Sequence, residues 1–354
     1  MDSEGEGMTV LTDTTDRIQP LHEAVMEKTR IRWRQGLQSN HLGVMENMVT
    51  RVAGITGLVI PPVMKKCMIL AAADHGVACR GISAYPVATT VQMTKNYLIT
   101  KGAGANALAN YCGADILVVD VGINADMKAV PGLVHRKIAY GTKDFTVGPA
   151  MSREEAVRAM QIGIDLVSEK IDDGYGVFSV GEMGIGNTTS SAAMTAVFCG
   201  LTPEEATGRG TNISDKRLQK KIDMVRAAID KNQPDPVDGI GVMAALGGFE
   251  LATLTGVMLG AAARRRLVII DGFNATAAAL AAQRISRESI AYLMASHLSA
   301  ERAHARALQE LGLVSSIDLG FRLGEASGAS IQMKILDSAL MIFQKLQCQK
   351  GDEK

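Results

Sequence analysis

Aromatic side chains are scarce in this chain. One Trp, six Tyr and seven Phe amount to 4% of its 354 residues. Single-stranded nucleic acids are gripped by stacking bases on such rings, so the scarcity argues against that class of partner. Net charge is absent as well, with 37 Lys and Arg against 37 Asp and Glu. A neutral balance supplies no general electrostatic hold on nucleic acid or an anionic membrane. The five cysteines (Cys67, Cys79, Cys112, Cys199, Cys348) are odd in number and scattered, with no CxxC pair. That usage fits a reducing compartment, and a cytoplasmic location is expected. No secretory signal is visible, and the acidic, polar start from Met1 to Thr12 reads as a loose tail. Histidine is too sparse for a metal centre. His297 and His304 are spaced to share a helix face, but neither they nor His75 has a third ligand at zinc spacing. No Ser-His-Asp arrangement or activated cysteine is legible.

One stretch resembles a membrane span superficially: Gly241–Ala263, flanked by Arg264, Arg265 and Arg266. It contains Glu250 and many small residues, and a strand-like run ending at Asp271 follows it. The expected structure is a single buried helix of a soluble protein.

What the chain does have is a glycine-rich turn between a strand and a helix. Val177–Val180 is apolar, Gly181-Glu182-Met183-Gly184-Ile185-Gly186-Asn187-Thr188-Thr189-Ser190 follows, and Ala192–Phe198 is helix-forming. Glycines let backbone approach a ligand closely, and the residues after them can cap a helix or donate to oxygen. Free N–H groups at a helix start seat phosphate. A Walker A loop is excluded because Asn187 stands where the lysine belongs, and a dinucleotide fingerprint lacks its third glycine. A phosphate cradle next to a carboxylate, Glu182, points to chemistry on a phosphorylated small molecule. A turn of packing value only is the plain alternative.

From Lys66 onward, apolar runs alternate with helical stretches, as βα units do. Four runs end alike, at Asp74, Asp120, Glu182 and Asp271, each near a glycine. Parallel sheets bind ligands outside the carboxyl ends of their strands. At least one of the four acids is expected to serve only as a cap or a buried pair. The first sixty residues read as helices, with Leu21, Val25 and Met26 starting an apolar face. Ser152 and Glu155 form a capping box. Ser299–Leu313 reads as a helix with Glu301, Arg302 and Arg306 solvated, and Ser330–Gln349 as an amphipathic helix. A second glycine turn, Gly208–Asn212, leads into a helix with Lys216, Lys220 and Lys221. Glu325 sits among small residues that leave room for a ligand ring. Desolvation there would raise its pKa toward that of a general base, although a helix-start acid facing the dipole reads equally well.

Together these segments resemble the nicotinate-nucleotide–dimethylbenzimidazole phosphoribosyltransferase family. The pieces are Ala73–Ala78, Ser83–Pro86, Gly181–Thr189, Gly208–Thr211, Ala245–Glu250, Asp271–Phe273 and Arg322–Glu325, in one order over about four fifths of the chain. The resemblance implies a Rossmann-like parallel sheet flanked by helices. It also implies a small helical domain drawn from residues 1–60 and 299–354, around a large α/β domain at 61–298. It implies a homodimer that moves phosphoribose from nicotinate mononucleotide to a benzimidazole nitrogen, in assembly of the cobalamin lower ligand, without metal or cofactor. By position, Glu325 resembles the general base and Glu182 a second catalytic acid. Gly184, Gly186, Asn187, Thr188, Gly208, Gly210, Lys221 and Asp271 would hold phosphoribose, and Ser83 and Gln92 would line the base pocket. The chain departs from the family at Leu37–Gly43, where a Lys-Pro-Pro-Gly-Ser-Leu-Gly-like stretch is usual. It departs again at Ala326 and Ser327, where Gly and Thr are usual, and at Cys79-Arg80, where the family pair is more acidic. A non-catalytic nucleotide-binding relative is the alternative reading.

Overall fold

The structure, a computed structural model, describes residues 3–37 and 40–348. Three helices come first: α1 (Ser3–Asp16), α2 (Glu23–Leu37) and α3 (Val44–Thr56). Next come β1 (Lys66–Ala73), α4 (Thr89–Lys95), α5 (Gly104–Cys112), β2 (Ala114–Gly122), β3 (Val134–His135) and α6 (Arg153–Asp172). β4 (Val177–Met183), α7 (Asn187–Cys199), α8 (Pro203–Ala206), α9 (Asp215–Asn232), α10 (Gly239–Leu246) and α11 (Phe249–Ala263) follow. β5 (Leu267–Ile270), α12 (Phe273–Ile285), β6 (Leu293–Ala295), α13 (His304–Leu311) and α14 (Ser327–Cys348) complete the chain.

The six strands are parallel, in the order β3-β2-β1-β4-β5-β6. This is the βα alternation read from the apolar runs and the Rossmann-like parallel sheet that the resemblance implies. Every residue of β1 is buried, because helices cover both faces of the sheet and β1 lies near its centre. Ile69 pairs with Leu117 on one side and Val180 on the other. The chain reverses its direction of growth between β1 and β4, and such a switch opens a crevice at the strand ends. The expected capping box is present: Ser152 Oγ accepts from Glu155 N at 3.0 Å, and Glu155 Oε2 from Ser152 N at 2.8 Å.

Several expectations need correction. The acidic start is not a loose tail across Ser3–Thr12, which belongs to α1; Met1 and Asp2 lie outside the described residues, as do Gln38, Ser39 and Gln349. α1 packs on α6 and α11, with Leu11 and Thr14 buried. The apolar stretch Gly241–Ala263 is two helices rather than one. Gly247 and Gly248 break it, and a Cβ on Gly248 would meet His75 Nε2 at 2.8 Å and Glu250 Oε2 at 2.6 Å. Glu250 is fully buried and bonded to the His75 ring. The small residues of α11 serve packing: a Cβ on Gly256 would collide with the Met160 carbonyl of α6, and one on Gly163 with the Thr253 carbonyl of α11. Among the described residues no helix is long and apolar enough to cross a membrane. The helix expected from Ser299 begins only at His304, because Ser299 and Glu301 turn inward. Ser299 N donates to His304 Nδ1 at 2.8 Å. His297 therefore lies outside that helix. The strands β3 and β6, two and three residues long, are too short to show a period.

The C-terminal helix joins the amino-terminal ones and the sheet. The rings of Trp33 and Phe343 sit 4.6 Å apart. At the start of β1, Lys66 Nζ donates to Asp337 Oδ2 at 2.7 Å, with both side chains largely buried.

Candidate active site

A cavity of about 790 Å³ opens at the carboxyl ends of β4 and β5. Its wall includes Glu182 from the end of β4, the loop Gly184–Thr189, Asp271 after β5, Lys221 from α9 and Glu325 just before α14. The two remaining strand-end acids lie elsewhere and are structural, as expected of at least one. Asp74 Oδ2 accepts from Asn124 N at 2.8 Å. Asp120 Oδ1 accepts from Gly122 and Ile123 amides at 3.1 and 2.9 Å, and Asp120 Oδ2 lies 2.9 Å from Lys137 Nζ.

The glycine loop is shaped by what lies beneath it. Gly186 has φ +105°, and a Cβ there would press on the His75 Cβ at 3.0 Å. The following helix carries no side-chain cap, contrary to expectation. Asn187 donates instead to Glu182 Oε2, and Ser190 to the Leu246 carbonyl. Uncapped helix starts favour anions. Lys221 faces this corner and is almost wholly buried, its Nζ 2.8 Å from Thr188 Oγ1 and 3.2 Å from the Gly208 carbonyl. Burial, partly offset by nearby Glu301, pulls its pKa down to about 8. An amine held this way, with no carboxylate among the described residues at salt-bridge distance, is poised for an incoming anion.

Glu182 and Glu325 stand together. A Cβ on Gly324 would lie 2.9 Å from Glu182 Oε1, and Gly324 adopts φ +81°. Glu325 and Ala326 are themselves left-handed, at φ +59° and +57°, conformations that cost side-chain-bearing residues free energy and are characteristic of functional sites. Burial holds the Glu182 pKa well above the usual carboxylate range, the Asn274 amide opposes this, and Glu250, Asp271 and Glu325 add to it. Glu325 is raised too, mainly by burial. The Tyr97 side chain and the Ala105 amide, 3.4 Å from Oε2, oppose that rise. The Tyr97 hydroxyl lies against the carboxylate without a well-formed hydrogen bond.

Asp271 lies in the cavity wall and also holds the neighbouring helix. Its Oδ1 accepts from the Gly328 and Ala329 amides at 2.8 and 3.1 Å, at the start of α14. It thereby anchors the helix that follows Glu325. Burial raises its pKa to about 7 against these amides. His297 lies beside it, Nδ1 to Oδ1 3.9 Å, and stacks on Phe321 at 4.3 Å. Burial lowers the His297 pKa to about 4, so the ring is neutral, and its Nε2 has no partner.

Ser83, half-buried, lines the cavity, whereas Gln92 is exposed on α4 and its neighbour Met93 lines the wall instead. Gly208 supplies its carbonyl to Lys221 without lining the cavity, and Gly210 lines it. Glu301, expected to be solvated, is buried in the wall and accepts from the Gly210 amide at 2.9 Å. Arg322, Asn274, Ser299 and His297 also line the cavity; Arg322 stood out only as part of a matching segment and His297 only as a metal candidate, and nothing in the sequence marked Asn274 or Ser299 for the site. Among the described residues no group of three or more His, Cys, Asp and Glu is arranged to hold a metal ion.

This constellation has counterparts. A model of a family described as phosphoribosyltransferase matches residues 18–350. The chain belongs to the nicotinate-nucleotide–dimethylbenzimidazole phosphoribosyltransferase family. The enzyme of that name from Chloroflexus aggregans is 44% identical over 342 residues, covering 96% of each chain. The one from Geobacter metallireducens is 42% identical over 340 residues, again covering 96% of each. A crystal structure of the same-named enzyme from Thermus thermophilus superposes with TM-score 0.85 at 36% identity, covering 91% of this chain and 96% of that one. The phosphoribosyltransferase fold thus extends over the sheet, the cavity and α14 together.

Proposed function

We propose that this chain transfers phosphoribose from nicotinate mononucleotide to a ring nitrogen of 5,6-dimethylbenzimidazole or a similar base. The products are an α-ribazole phosphate and nicotinate, as required in assembly of the cobalamin lower ligand. One observation carries the reading. Two carboxylates 143 positions apart in sequence, Glu182 and Glu325, line one cavity with a buried lysine and a helix start that no side chain caps. The relatives' names supply the substrates.

Lys221, Thr188 and the Gly184–Gly186 backbone hold the phosphate, with the Gly208–Gly210 turn closing that corner. Glu325 takes the N–H proton of the base, and the other ring nitrogen then attacks C1′ of the ribose. The bond from C1′ to the nicotinate nitrogen breaks, and its electron pair returns to the pyridinium ring, so departure needs no acid. Positive charge builds on the ribose as this bond stretches. Glu182, whose burial disfavours ionisation, gives its proton to solvent as the cationic donor enters and then stabilises the developing charge as a carboxylate. Ser83 and Gln92 serve the aromatic base, the latter after a movement of α4 or its side chain. Asp271 acts through α14. No metal or cofactor enters the scheme. The helices of residues 1–60 and 299–354 form the small domain, the active species is a homodimer, and the location is cytoplasmic.

The test is direct. Incubation with nicotinate mononucleotide and dimethylbenzimidazole is expected to release nicotinate and form the riboside phosphate. Glu325→Gln is expected to lower turnover by roughly 10²–10⁴-fold, the usual scale for a general base. In the native enzyme turnover rises with pH as Glu325 and Glu182, both held above the usual carboxylate range, ionise, and the variant loses the Glu325 part of that acid limb and keeps the Glu182 part. Near-normal turnover in Glu325→Gln removes Glu325 from the mechanism.

A further inference from the structure

The backbone of one residue in the cavity wall, Gly210, is held at both its N–H and its C=O by charged side chains. The Gly210 N–H donates to Glu301 Oε1 at 2.9 Å, and the Gly210 carbonyl accepts from Arg322 Nε at 2.9 Å. The two side chains also meet each other, Nε to Oε1 at 3.4 Å. A second Arg322 nitrogen donates to Asn212 Oδ1 at 3.4 Å. Glu301 is buried, and its Oε2 has no hydrogen-bond partner. Gly210 and Asn212 adopt φ of +54° and +60°. A turn with two left-handed residues needs outside contacts to stay in one conformation.

The clamped turn touches each part of the site. A Cβ on Gly210 would lie 2.8 Å from Thr188 Oγ1 and 3.2 Å from Lys221 Nζ, so its backbone walls the anion corner. Thr211 Oγ1 accepts from the Ala84 amide at 3.0 Å and lies 3.4 Å from Ser83 Oγ, on the opposite rim. Arg322 stands three residues before Glu325 on the same strap.

We propose that Glu301 and Arg322 are positioning residues, forming a clamp on the Gly210 backbone through which an anion at Lys221 sets the strap of residues 322–325 that bears Glu325. This rests on the function proposed above. Phosphate seated on Lys221 lies against the Gly210 wall and confines the turn. Arg322 is fixed to the carbonyl of that turn, so the confinement passes to Gly324 and Glu325. The aromatic acceptor then meets a strap already ordered, and the ordering cost no longer subtracts from its binding.

Calorimetry with 5,6-dimethylbenzimidazole and inorganic phosphate tests this, because the pair contains no ribose and cannot react. Saturating phosphate is expected to tighten dimethylbenzimidazole binding roughly fivefold or more, and the base to tighten phosphate by the same factor. In Arg322→Met the factor is expected to fall to about one, with both ligands still binding. Arg322→Lys restores part of it, since lysine reaches the Gly210 carbonyl but lacks the fork for Asn212. Coupling retained in Arg322→Met overturns the proposal, as does independent binding of the two ligands to the native protein. Independent binding leaves the proposed function standing, whereas a native protein that binds neither ligand removes both. If Arg322→Met fails to fold, Glu301→Gln takes its place. It keeps an acceptor for the Gly210 amide but loses the charge facing Arg322, and a reduced factor is expected; an undiminished one overturns the proposal.

Discussion

Replacing Lys221 by methionine is expected to make the protein more stable and the enzyme worse. The amine is buried at 2% exposure, and its pKa falls from 10.5 to about 8 because burial disfavours the charged form. A base whose folded pKa lies below its unfolded one opposes folding while it is charged. That penalty is complete below pH 8 and lifts as pH rises from 8 toward 10.5. Linkage puts it at about 3 kcal/mol at pH 7 and about 2 kcal/mol at pH 9. Methionine fills similar volume without charge. It forfeits the contacts to Thr188 Oγ1 and the Gly208 carbonyl, which offset about 1–2 kcal/mol of the gain. The net expectation is a stabilisation of about 1–2 kcal/mol at pH 7, smaller by about 1 kcal/mol at pH 9. Urea unfolding of both proteins at the two pH values measures it. Calorimetry with nicotinate mononucleotide should show affinity falling roughly 10–100-fold, since charge-assisted hydrogen bonds to phosphate are lost. A Lys221→Met protein less stable than the native one at pH 7, with the same difference at pH 9, refutes the reasoning. So does donor affinity within a factor of about three of native.

Other substitutions separate positioning from packing. Asp271→Ala strips the acceptor from the Gly328 and Ala329 amides; kcat is expected to fall roughly 10–100-fold with KM for the donor little changed. Asp271→Asn, which retains an acceptor oxygen, should recover most of that loss in steady-state assays. Asp337→Ala leaves Lys66 charged and largely buried, and a loss of about 3–5 kcal/mol is expected in urea unfolding. The double variant Lys66→Met, Asp337→Leu should recover most of it. Gly256→Ala drives a methyl group into the Met160 carbonyl; thermal unfolding should show a loss of about 1–3 kcal/mol or more, with the remaining activity per folded molecule unchanged.

Much of the architecture was legible because it rests on local periods. The runs ending at Asp74, Asp120, Glu182 and Asp271 are the four long strands of the sheet, and the acids fall where the runs predicted. Ser152 and Glu155 bracket a helix start over four residues, so their capping box could be read directly. The two-residue β3 and the three-residue β6 carry no period to read. The Gly247-Gly248 break between α10 and α11 was hidden inside an unbroken apolar stretch. Its reason lies in His75, which is far away in sequence and occupies the space a Cβ would need. α1 is polar enough to pass for a tail, yet Leu11 and Thr14 find a place on α6 and α11.

The site divides along the same line. Sequence alone determined the residue types: a glycine loop without the Walker lysine, acids at strand ends, and a lone glutamate among small residues. Those follow from chain-local chemistry, since close backbone approach requires glycine and ligand binding favours strand ends. Only the tertiary structure decided which of these groups share a cavity. It sent Asp74 and Asp120 to structural duty, turned Asp271 toward α14, left Gln92 outside, and brought Glu301 in from what read as a solvated helix. The physical reason is that desolvation and pairing depend on neighbours supplied by distant segments, and no spacing along one chain records them.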